Sequence, residues 1–151
     1  MVYQSDPAPL PGWLMFHSQR HIHSPASMNA AERASFGPTI GHIMELLEKA
    51  TGCERIYMTA FGESFPHLCV PYSACASWAC LIACADSHAH LIPRYANMPD
   101  THAWAIADHY RGTADESIPM ADPAECAAMN DKLRSMLAAD PPPALPGSAK
   151  L

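Results

Sequence analysis

His88-Ala89-His90-Leu91-Ile92-Pro93-Arg94 alternates polar and apolar side chains with a period of two at its start. Only an extended strand turns that period into two chemically different faces. A strand written this way needs a layer to cover its apolar side, which points to a sheet with a helix packed on one face. The pattern begins once before and breaks off, because Phe65-Pro66-His67-Leu68 stands nineteen residues ahead of His88, across the segment 69–87. Joined, the two pieces read His-Leu-His-Ala-His-Leu-Ile, with His67, His88 and His90 on one face and Leu68, Ala89 and Leu91 on the other. One His-x-His pair carries little weight, since His21-Ile22-His23 also occurs in this chain. Three in alternation, preceded by Gly62-Glu63-Ser64-Phe65-Pro66 and followed by Leu-Ile-Pro-Arg, is far more specific.

The flanks read as ordinary elements of a single domain. Gly12 to His17 predicts a strand that ends at the polar turn Ser18-Gln19-Arg20. Ser27 is placed to cap a helix from Met28 to Phe36, and Pro38 to open a second one toward Ala50 that stops at Gly52. Ile40, Ile43, Met44, Leu46 and Leu47 supply the apolar stripe of that second helix. Arg55 to Phe61 reads as a strand from its β-branched and aromatic content, with Gly62 turning the chain into the histidine strand. Asp122-Pro123 offers a cap and first-turn proline for a helix through about Ala138, and Pro141-Pro142-Pro143 stops it. Trp13, Tyr57 and Trp104 read as core residues, and Met44, Met129 and Met136 as helix packing. His42, His102 and His109 read as surface histidines, and His17 as a strand end. With 151 residues and 49% hydrophobic content the chain has enough for one core. The expected division is a proline-rich segment 1–10, a domain over 11–139 and a loose tail 140–151.

A net charge of −6 with nine Lys plus Arg argues against a broad nucleic-acid surface and leaves room for one small phosphorylated ligand. No basic start followed by an apolar run opens the chain, so the expected setting is cytoplasmic, with the six cysteines as reduced thiols. Four of the six, Cys69, Cys75, Cys80 and Cys84, fall in 69–87, where Asp86 is the single charged residue. Nineteen codons are 57 bases, which keep the reading frame. A GT donor fits the junction of codons 68 and 69 and an AG acceptor fits codon 87, so the segment reads as a retained intron. Three other readings stand beside it. Cys75, Cys80, Cys84, His88 and His90 offer zinc ligands, though without a compact Cys-x-x-Cys pair. The uncharged run from Leu68 to Ala85 approaches a membrane span in length, but Pro71, Tyr72 and interspersed serines make it a poor one. A surface loop is the plainest reading, although loops usually enter between strands rather than within one.

The rejoined string resembles the active-site signature of the histidine triad (HIT) family, nucleotide hydrolases and transferases. Pro11-Gly12-Trp13-Leu14 with Arg20-His21-Ile22 is similar to the family's strand leading into a basic-His turn, and Trp104 to Arg111 to a downstream segment of one subgroup. The resemblance covers roughly residues 11–68 and 88–111. It implies an α+β, HIT-like fold, a mostly antiparallel sheet with a long packed helix. It also implies N-terminal truncation or a wrong start codon, because family members carry further strands ahead of this point. By motif position His88 is the nucleophile that becomes nucleotidylated on the α-phosphate, while His67 and His90 orient it and contact phosphate or leaving group. Ser64 matches a phosphate-facing position. Arg94 is a candidate for neutralising phosphate, with a structural ion pair as the competing role. Glu63 stands where several branches carry glutamine, and a carboxylate there repels phosphate unless protonated or turned away. The implied substrate is a nucleotide or dinucleoside polyphosphate, with no cofactor, no metal, no nucleic acid and no membrane, and the implied assembly a homodimer. The break in the catalytic strand raises the alternative of a noncatalytic variant whose Cys-rich insert binds a metal or a partner. Transcripts sequenced across codons 68 to 88 beside their genomic locus are expected to lack the 57 bases in most messages. A locus without GT and AG at those points rules the intron out.

Overall fold

The computed structural model describes residues 2–4, 8–17, 22, 24–59, 88–102, 105–114 and 116–142. These form strands β1 (Val2–Gln4), β2 (Leu14–His17), β3 (Arg55–Thr59) and β4 (His88–Arg94), with helices α1 (Ala30–Thr51), α2 (Ala105–Ala114) and α3 (Pro123–Ala139). The sheet order is β1-β2-β4-β3 and every pairing is antiparallel. The stretch ahead of Pro11, expected as a proline-rich lead-in, thus supplies an edge strand, and its Ala8 and Leu10 are buried.

Alternation along β4 divides the core in two. Leu91 packs with Leu14, Ile40, Ile43, Leu47, Ala50, Ile56 and Leu133 between the sheet and helices α1 and α3. Met44, Met129 and Met136 pack against that cluster. Ile92, the next residue, packs on the opposite face with Leu10, Trp13 and Ile106 of α2, joined by Tyr57 and Met98. Pro93 fits in this central strand because pairing with β2 ends at Leu91, so its missing N–H deprives no ladder bond on that side.

Helix α1 differs from the expected pair of helices. Pro25–Ser27 forms a single 3₁₀ turn, and the cap is Asn29 rather than Ser27. The Asn29 side chain accepts from Glu32 N at 2.9 Å, while the Glu32 carboxylate accepts from Asn29 N at 2.7 Å, a reciprocal capping box. One helix of 22 residues then runs through Pro38 to Gly52, whose φ of 66° closes the C-terminus. Pro38 forfeits a bond to the carbonyl of Ala34, but Gly37 before it has no Cβ to meet the proline ring. The buried stripe Ile40, Ile43, Leu46, Leu47 and Ala50 holds the helix on the sheet. Helix α3 follows expectation, with the Asp122 side chain accepting from Ala124 N at 2.8 Å and Pro123 opening the first turn. No described helix is long and apolar enough to cross a membrane. The expected turn Ser18-Gln19-Arg20, the indole of Trp104 and the tail beyond Pro142 lie outside the described residues.

Leu91 and Leu47 have no exposed surface. Leu91→Ala is expected to lower unfolding free energy by about 2–5 kcal/mol, read from urea titration, because it removes buried surface and leaves a cavity.

Candidate functional site

β4 places His90, Ile92 and Arg94 on one face and Ala89 and Leu91 on the helix-covered face. Of the three motif histidines, His88 and His90 lie in this central strand, two positions apart. His67 and Ser64 lie outside the described residues, as do Glu63 and the whole segment 69–87 with its candidate zinc-ligating cysteines. Cross-strand register adds neighbours that the motif does not contain. His17 of β2 pairs with His88, while Met15 and Thr59 flank His90 on its two sides. His17 is the last residue of β2, and its backbone stands opposite that of His88. Its odd-numbered parity with Met15 was visible in the sequence, but the register that sets it against His88 was not.

His90 is 4% exposed and Trp13 is 1% exposed. Burying an imidazole is costly unless its nitrogens are bonded, and here Trp13 Nε1–H donates to His90 Nδ1 at 3.0 Å. The two rings meet edge to face, with centroids 5.9 Å apart and planes at 83°. Trp13 reaches this position through a turn at Leu10-Pro11-Gly12-Trp13. Trp13 N donates to Leu10 O at 3.1 Å, and Gly12 has φ of 83°. Proline second and a positive-φ glycine third is the pattern of a type II turn. A Cβ on Gly12 would lie 2.9 Å from Thr51 Cγ2 and 3.3 Å from Leu47 Cδ1, so glycine is required for space as well as for conformation. The Tyr95 hydroxyl donates to Pro11 O at 3.3 Å, and burial pushes its phenol up, which keeps it a donor. Thr59 Oγ1, on the strand flanking His90, is buried with no hydrogen-bond partner among the described residues.

Arg94 lies at the far end of the same face, held by Glu54. Its guanidinium is 3.4 Å from the Glu54 carboxylate, and Glu54 N donates to Arg94 O at 2.9 Å. This is the structural ion pair, and it anchors the end of β4. His109 departs from the expected surface position. It is 5% exposed, with Nδ1 2.8 Å from Asp100 Oδ2 and Nε2 3.4 Å from Pro9 O. Among the described residues, Asp100 of the Pro99–Thr101 turn and Pro9 of the segment before Trp13 reach this histidine, which its local sequence does not disclose. Among the described residues no three His, Cys, Asp or Glu side chains are grouped to hold a metal ion.

No protein-family model matches the chain, and no curated protein matches it. Among solved structures it is similar to the crystal structure of a HIT-like protein involved in cell-cycle regulation from Bartonella henselae, with an unknown ligand. The TM-score is 0.54 at 12% sequence identity, over 89% of this chain and 77% of that one. At that identity the likeness is one of fold.

Two substitutions test the supports of this site. Gly12→Ala is expected to destabilise the chain by roughly 1–3 kcal/mol in thermal or urea unfolding, through backbone strain and the contact with Thr51. His109→Ala leaves the Asp100 carboxylate and the Pro9 carbonyl without this partner, with an expected loss of about 1–3 kcal/mol by the same measurement.

Proposed function

We propose that this chain, whose fold is HIT-like, is built as a nucleotide hydrolase or nucleotidyltransferase acting at the α-phosphate, and that residues 69–87 interrupt it. One observation supports the reading: His88 and His90 stand two positions apart in the central strand of a fold of this kind. A histidine nitrogen at His88 attacks phosphorus, the leaving group departs, and water or an acceptor cleaves the nucleotidyl-histidine. His67 and His90 are the outer pair that orient the nucleophile and contact phosphate or leaving group, and Ser64 contacts phosphate. Arg94 adds positive charge at the strand end, shared with Glu54. The substrate class is a nucleotide with an ester, amide or phosphate leaving group, including dinucleoside polyphosphates, handled by a cytoplasmic homodimer without metal or cofactor.

The register supports the interruption. Thr59 pairs with His90 across β3 and β4, yet 28 residues lie between Thr59 and His88. Without 69–87 only nine would remain, and the same register carried outward would set Phe61 across from His88 and Gly62 across from Leu68. That is a short hairpin connection, of the kind that antiparallel neighbours ordinarily use.

The test is a chain lacking 69–87, given an adenosine phosphoramidate and examined by intact mass and peptide mapping. The shortened form is expected to carry a nucleotidyl group on His88, lost in His88→Asn, and to exceed the full chain in adduct by roughly two orders of magnitude. A folded shortened form with neither adduct nor turnover would sink the enzymatic reading. If the full chain also purified with one equivalent of zinc, the noncatalytic, metal-binding variant would take its place.

A further inference from the structure

An indole nitrogen can only donate a hydrogen bond. The 3.0 Å bond from Trp13 Nε1 to His90 Nδ1 therefore requires a lone pair on Nδ1. Imidazolium carries a proton on both ring nitrogens, and the neutral Nδ1–H form carries one where the indole proton must go. Both are incompatible with the bond. The form that remains has its proton on Nε2, on the other side of the ring.

The indole is itself held from several directions. It is packed with Leu10, Ile92 and Ile106, and its backbone is fixed by the turn at Gly12. His90 is set by strand pairing on both sides and is shielded from bulk water, so solvent does not readily substitute for the indole. We infer that Trp13 is a positioning residue, which locks His90 as the Nε2–H tautomer and makes Nε2 the hydrogen-bond donor of the candidate site. The use of that donor rests on the proposed function, whereas the lock itself does not. An Nε2–H offers a proton to a phosphate or leaving-group oxygen, while the other tautomer would turn a lone pair toward the same negative oxygen.

The experiment is long-range proton–nitrogen correlation on the full chain carrying ¹⁵N-histidine, with the His90 signals assigned by their loss in His90→Gln. The native chain is expected to show His90 with Nδ1 unprotonated and Nε2 protonated as a single tautomer. Trp13→Phe keeps the aromatic ring and removes the donor, and is expected to show an Nδ1–H population that the native chain lacks. A native chain with a protonated Nδ1 overturns the inference whether or not the variant folds. So does a folded Trp13→Phe that retains one pure Nε2–H form. In the shortened chain given the phosphoramidate, Trp13→Phe is expected to slow adduct formation roughly tenfold. A tautomer locked in the native chain and released in the variant, with no adduct from any form, would support the lock and defeat the nucleotidyl-transfer reading instead.

Discussion

Leu91 and Ile92 are adjacent in the chain and buried on opposite faces of one strand. That pair of contacts is the constraint on which the rest depends. A slip of one residue would turn His90 into the cluster beneath α1 and push Leu91 toward the Trp13 side, losing both cores at once. Since β4 has neighbours on both edges, the burial that fixes its register also fixes which residues of β2 and β3 stand beside the histidines. The position of the candidate site is thus a by-product of apolar packing next to it.

The face that carries His90 is largely apolar and enclosed. Trp13, Leu10, Ile92 and Ile106 pack together there, and an imidazole kept beside them needs bonded nitrogens. The Pro11-Gly12 turn, the Trp13 indole and His90 form one mechanical path from backbone conformation to ring tautomer. The segment leading into that turn is tied in its own right, through Pro9 O to His109 of α2 and through Ala8 O to Ala121 N at 3.0 Å. Contacts remote from the site therefore bear on the orientation of one ring.

Fold and site respond differently to the segment 69–87. A long connection between two strands costs only slowly increasing entropy, so the sheet, its two cores and the helices persist with it present. Catalysis by a histidine row asks for more, because its reacting groups must be held to within fractions of an ångström. A HIT-like fold in this chain is accordingly no guarantee of HIT-like chemistry.

Local patterns in the sequence determined the strand at 88–94, the cap and first turn of α3, the methionine packing and the glycine stop of α1, since each depends on residues a few positions apart. The α+β class followed from the same patterns together with the family resemblance. Tertiary structure decided the rest. It carried α1 unbroken through Pro38, with Phe36 on the near side of the proline packed against Phe16 and the main core and the stripe from Ile40 to Ala50 on the far side. It set His17 opposite His88, buried His109 against Asp100, tied Arg94 to Glu54, and joined Trp13 to a histidine 77 positions away. Period and capping are written in neighbouring residues, whereas register, burial and a buried ring's hydrogen-bond partner exist only once distant segments have packed.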